Sequence, residues 1–231
     1  MCGRYNLIAK PEQLIEHFKL QRLRKYESSY NIAPGQKILT IVRLEDSSYK
    51  AVNLWWGLIP SWSKDRSISN RLINARAETV KEKPAFRAAY KKRRCLIPAT
   101  GFYEWQKTEN EKQAFHIHRQ DQRLFAFAGL WEHWEYKQET VYSCTIITTS
   151  ANRLMQPVHN RMPVIISLEN YNRWLDKRTS SSELDSLLAE DSYQEFILSE
   201  VSDWVNNPIH DDKNCLENYY KPNSNSSLIE I

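Results

Sequence analysis

Glycine is scarce in this chain, with five among 231 residues, alongside nine prolines. That scarcity excludes collagen-like repeats and low-complexity linkers, and no internal repeat is present. Long apolar runs are missing as well. No stretch reaches the ~18 residues a membrane helix needs, and no basic segment followed by an apolar run marks a secretory signal. Cysteine is limited to Cys2, Cys95, Cys144 and Cys215, which are far apart and form no Cys-x-x-Cys pair. That spacing argues against a zinc site and for reduced thiols. The absences together lead to the expectation of a cytoplasmic protein with no metal, no cofactor and no membrane contact.

Aromatic residues, in contrast, reach 12% and include eight tryptophans, enough for a packed core with ring surface to spare. The net charge of +4 hides a strong asymmetry. Between Lys64 and Arg94 eleven Lys/Arg face three Asp/Glu, whereas from Glu183 onward eleven acids face two lysines. The first block points to an anionic partner and the second to a solvated skin. Read alone, KKRRC at 91–95 is as well explained by an exposed turn.

Pro11 opens a helical pattern over 11–20, with Leu14, Ile15 and Phe18 on one face. Strand-like runs follow at 37–44, 49–58, 113–119, 124–131, 141–149, 162–167 and 196–203, several of them alternating apolar and polar residues. Helices are expected at 168–176 and 181–190, the second capped by serines ahead of Glu183. Strands outnumber helices and no βαβ alternation occurs. The expectation is a β-rich α+β fold, mainly antiparallel, as one domain over 1–214. The last 20 or so residues, from NNP through DDKN to PNSNSS, read as loose coil, with 215–231 as a flexible tail.

The chemistry starts at Cys2. With Met1 removed, this residue carries an α-amine and a thiol whose ordinary pKa values are ~8 and ~8.5. Two such nucleophiles on adjacent carbons can close a five-membered ring on an aldehyde. Further along, polar residues stand where a purely structural reading is uncomfortable. They lie in NIAPG (31–35), in INARAET (73–79, with Asn74, Arg76 and Glu78), in GFYEW (101–105, with Glu104) and in HNRMP (159–163, with His159 and Arg161). A carboxylate set between Tyr103 and Trp105 is a candidate for desolvation and a raised pKa, which suits a general acid. Taken singly, each of these residues is better explained as a structural one.

In this order and spacing, MCGR, NIAPG, INARAET, GFYEW and HNRMP resemble the SOS response-associated peptidase family, whose members join covalently to abasic sites in single-stranded DNA. The resemblance runs from Met1 to about Asn214, where VSDWVNNPIHDDKNC looks like the family's closing segment. It implies that the mature chain starts at Cys2 and forms a thiazolidine with the ring-opened abasic sugar. It further implies that Asn74 orients the amine, that Glu104 shuttles protons, and that His159 assists sugar opening. Arg4, Arg76 and Arg161 would hold phosphates flanking the lesion, and Trp62 would stack on a neighbouring base. Asn31 and Pro34 would line the same cleft. The same site is implied to cut the Met1–Cys2 bond, with the protein acting as a monomer on DNA.

Two features depart from the family pattern. Ser63 follows Trp62 where some relatives have a second tryptophan, and VKEKPAFR follows INARAET where some carry an arginine near the phosphates, leaving Lys83 or Arg87 to substitute. Two rival readings share the same start. A class II glutamine amidotransferase also uses an N-terminal cysteine, although its later glycine-rich elements are missing here. A non-covalent single-strand-binding module would leave Cys2 inert.

Overall fold

The computed structural model describes residues 2–107 and 112–218. Two sheets dominate. The first contains β1 (Tyr5–Leu7), β2 (Ser29–Ile32), β7 (Gly101–Lys107), β8 (Lys112–Arg119) and β13 (Phe196–Val201), in the order β13-β8-β7-β1-β2 and antiparallel throughout. The second is built on β3 (Lys37–Arg43), β4 (Tyr49–Trp56), β6 (Arg94–Ala99), β9 (Phe125–Tyr136) and β10 (Glu139–Ser150). These five pair in the cycle β3-β4-β10-β9-β6 and back to β3, so the sheet closes on itself. Short strands β5 (Asn74–Arg76), β11 (Arg161–Pro163) and β12 (Ile165–Ile166) extend it. The pairings of β10 with β4 and β5 are parallel and the others antiparallel. The β-rich, mainly antiparallel α+β expectation therefore holds.

Among the described residues four α-helices sit around the sheets: α1 (Pro11–His17), α2 (Arg87–Lys92), α3 (Tyr171–Leu175) and α4 (Ser181–Ala189). A proline in its first turn starts α1, which buries Leu14, and Phe18 at its C-cap is buried as well. Ser180 and Glu183 cap α4 reciprocally, each side chain taking the other's backbone N–H. The expected strand over 49–58 stops at Trp56. Gly57 follows with φ +131° and lies so close to Ser69 that a Cβ would approach its carbonyl oxygen to 2.6 Å. The expected strand over 162–167 divides at Val164, whose N–H and C=O bond Ile147 and Ala128, so that β11 joins β10 and β12 joins β9.

The sheets pack through aromatic edges. Tyr5 of β1 meets Trp56 of β4 at 5.4 Å and Phe127 of β9 at 5.8 Å between ring centroids. On the outer face of the first sheet, Tyr103, Ala114, Val201, Val205 and Cys215 form a second cluster. The segment 202–218 covers that face, which corrects the reading of loose coil there. Asp211 accepts from the Ser29 hydroxyl and from the N–H groups of Tyr30 and Asn31. Cys215 is buried and Asn218 bridges Val201. Of the expected tail, 219–231 lies outside the described residues.

KKRRC is not a plain exposed turn either. Lys91 and Lys92 are exposed, but Arg93 pairs with buried Glu132 at 2.6 Å. Arg94 is buried and donates to the carbonyls of Tyr90, Trp174 and Asp176 at 2.6 Å each. A buried guanidinium is tolerated when its donors are filled in this way. All four cysteines are free and buried.

Candidate functional site

The site lies where the two sheets meet, at the amino end of β1. Tyr5 pairs with Phe102 and Asn6 with Gly101, and Tyr103 N–H donates to Arg4 O at 2.9 Å. Continuing this register sets Gly3 opposite Glu104, while Cys2, ahead of β1, packs into the interior core. Strand alternation then sorts the side chains of GFYEW. Tyr103 and Trp105 turn to the outer cluster under 202–218, while Phe102 and Glu104 turn inward, toward Cys2. Glu104 is 3% exposed. Its burial thus comes from the inter-sheet interior and not from the two aromatic neighbours in sequence.

Asn74 enters from the other sheet. It opens β5 opposite Ile146 of β10, and its Nδ2 donates to Cys2 O at 2.9 Å. Its Oδ1 is buried and accepts no hydrogen bond among the described residues. A buried amide oxygen left unpaired costs about 1–3 kcal/mol, so a donor arriving at this position would be held firmly. Cys2 is fully buried. Burial drives its thiol well above the ordinary range, and the Glu104 charge pushes it further the same way. Glu104 itself is raised from 4.5 to about 7, mainly by burial.

His159 reaches the same region on a turn between β10 and β11. Gln106, two residues beyond Glu104 on the same face of β7, donates to Pro157 O at 2.8 Å and ties that turn to the first sheet. His159 Nδ1 accepts from Arg161 N–H at 2.9 Å. A backbone amide can only donate, so the neutral ring carries its proton on Nε2. Burial lowers the His159 pKa, and the charges of Arg161 and Lys107 add to this. Tyr193 was not indicated by any sequence signal. It is buried close enough for Cys2 and Glu104 to raise its pKa beyond the effect of burial, and it donates to Pro163 O at 2.7 Å.

The residues expected to contact DNA divide into two groups. Trp62 is 60% exposed, Arg76 is exposed with no side-chain partner among the described residues, and Pro34 is half-buried. The others are occupied within the protein. Asn31 is 1% exposed, and its amide donates to the carbonyls of Val205, Asn207 and His210. Asn31 therefore anchors the closing segment and does not line a cleft. Arg4 donates to Asn31 Oδ1 and Val205 O at 2.9 Å each and lies over the Trp105 ring. Arg161 forms a two-pronged pair with Glu78 at 2.6 and 3.0 Å. Within the basic block, Arg66, Lys81 and Arg93 are paired with carboxylates and Arg94 is buried, so only part of it is available as a positive wall. Ser63, in the place of a second tryptophan, is buried and its carbonyl accepts from Trp134 Nε1. Among the described residues no cluster of His, Cys, Asp and Glu could hold a metal, and no helix is long and apolar enough to cross a membrane.

A buried Cys2, held through its carbonyl by Asn74 and close to a carboxylate of raised pKa, makes up the candidate site on a two-sheet scaffold. The chain belongs to the SOS response associated peptidase (SRAP) family, whose model matches residues 1–208. It is 42% identical over 225 residues to the abasic site processing protein YoqW of Bacillus subtilis, covering 95% of this chain and 100% of that one. It is 33% identical over 223 residues to the abasic site processing protein HMCES of Xenopus tropicalis, covering 83% and 66% respectively. The X-ray structure of a protein from Bacteroides thetaiotaomicron matches with a TM-score of 0.85 at 26% identity, over 95% of this chain and all of that one.

Proposed function

We propose that this protein processes abasic sites in single-stranded DNA by forming a thiazolidine cross-link through Cys2 once Met1 has been removed. The observation that carries the reading is the grouping of buried Cys2 and Glu104 with half-buried Asn74, whose amide holds the Cys2 carbonyl, at the meeting of the two sheets. Relatives named for abasic site processing supply independent support.

The chemistry balances with the loss of one water. The Cys2 amine attacks C1′ of the ring-opened sugar, an aldehyde, to give a carbinolamine. Protonation of its hydroxyl releases water and leaves an imine. The thiol then adds to the imine carbon, its proton passing to the nitrogen, and the five-membered ring closes. A buried site favours the neutral amine that the first step requires. Glu104, with a pKa of about 7, can give a proton to the leaving hydroxyl and later take one from the thiol. The thiol is held neutral by burial, so a neighbouring base is needed for that last step. Asn74 Oδ1 supplies an acceptor for the amine. His159, with its proton on Nε2, serves as donor to the sugar oxygen at ring opening.

For DNA, Trp62 offers an exposed ring for base stacking and Arg76 an uncommitted cation for phosphate. The test is a denaturing gel after incubation with an abasic single strand, alongside intact-mass confirmation that the chain starts at Cys2. A shifted band that disappears in Cys2→Ala is the expected result. Binding that is lost on denaturation, with a confirmed Cys2 terminus, would reject the covalent reading in favour of a single-strand-binding module.

A further inference from the structure

Glu78 has no part in the chemistry above, yet it stands in the same run as Asn74 and Arg76. It lies in the turn after β5, 46% exposed, and faces Arg161 in a fork-to-fork pair with Nη1–Oε1 at 2.6 Å and Nη2–Oε2 at 3.0 Å. The guanidinium is only 15% exposed, and Nη2 also donates to Thr148 O at 2.6 Å. Thr148 is the β10 residue paired with Arg76 of β5. Arg161 is therefore fixed to β5 and β10 together. The N–H of this same Arg161 fills His159 Nδ1. One carboxylate thus links the strand that presents Asn74 to the amide that sets the protonation pattern of His159.

We propose that Glu78 is a positioning residue, acting through Arg161 to hold the His159 ring as its Nε2–H tautomer, aimed into the site. The inference rests on the abasic-site reading for its functional consequence but not for its structural one. The two-pronged pair is the geometry a phosphate would otherwise take on Arg161. In this structure the two terminal nitrogens of Arg161 are engaged by Glu78 and Thr148.

The test compares Glu78→Ala, Glu78→Gln and Glu78→Asp with the wild type. Ring nitrogen NMR on histidine-labelled protein without DNA reads the tautomer directly. The expected wild-type signal for His159 is a single neutral Nε2–H form, replaced in Glu78→Ala and Glu78→Gln by a mixture of both tautomers. The rate of adduct formation at saturating abasic DNA should fall roughly tenfold to a hundredfold, with the Kd for an intact single strand unchanged. Glu78→Asp, which keeps the charge, should recover part of the rate. An unaltered tautomer and rate in Glu78→Gln, which keeps the side chain's volume, would overturn the proposal. So would a several-fold tighter Kd at an unaltered rate, which would mark Glu78 as a competitor of phosphate. Failure of the wild type to form any adduct would reject the functional reading while the tautomer measurement still decides the role of Glu78.

Discussion

Replacing Glu104 with glutamine should stabilise the protein while abolishing its chemistry, and the stabilisation should grow with pH. Glu104 is 3% exposed, and burial lifts its pKa from 4.5 to about 7. Between those two values the folded protein keeps a proton that the unfolded chain has already released. Stability therefore falls as pH rises through the window. Worked from the two pKa values, the folded carboxylate costs about 3 kcal/mol at pH 8 and about 1 kcal/mol at pH 5. Glutamine has nearly the same shape and no charge to desolvate. The gap in stability between Glu104→Gln and wild type should then widen by about 2 kcal/mol from pH 5 to pH 8. Urea unfolding at four pH values across this range measures it, since other titrating groups cancel in the difference. A gap that is constant with pH would refute the assignment of a raised pKa, and with it the role of Glu104 as a proton carrier near neutrality. A site kept at the expense of stability is the pattern expected of a functional carboxylate.

Two further outcomes follow from the same geometry. Trp62→Ala should weaken binding to an intact single strand by roughly 1–3 kcal/mol, read by fluorescence anisotropy, while the rate of adduct formation at saturating DNA stays the same. Gly101→Ala should be among the most damaging single-methyl changes in the chain. Its Cβ would lie 2.0 Å from His116 Nε2, the atom that accepts from buried Asn6 Nδ2 at 2.9 Å. A loss of at least about 2 kcal/mol in urea unfolding is expected, by clash and by an orphaned buried amide.

The strands that alternate or run long were legible in the sequence: β3, β4, β8, β9 and β10 all fall within a few residues of their expected positions. Shorter or fully buried strands were not. β1 and β5 span three residues each, too few to show a period, and β6 is buried on both faces, so RCLIPA has no alternation to read. Cys2, Asn74, Glu104 and His159 were singled out through ordered motifs, and only the fold explains why Cys2 meets Asn74 and Glu104. The misread polar residues have a common cause. Arg94, Asn31 and Arg4 look like surface residues because their partners, the carbonyls of Trp174, Asp176, Val205 and His210, lie far along the chain. Nothing local in KKRRC or NIAPG announces a buried hydrogen-bonding task. The polar run NNPIHDDKN was likewise mistaken for coil, because Asp211 spends its carboxylate on the backbone of β2, some 180 residues earlier.

Tyr5 touches both halves of the molecule, and this places the working distance of the site under mechanical control. Glu104 travels with β7, while Asn74 travels with β5 and the closed ring of strands. Trp56 and Phe127 gripping one tyrosine ring, the Phe102–Phe127 edge and the Gln106–Pro157 bond together hold the spacing between Glu104 and Asn74. Warming or mild denaturant that lets this grip slip would pull the jaws apart while every strand remained hydrogen-bonded. The proposed adduct formation would then be lost well before the shape.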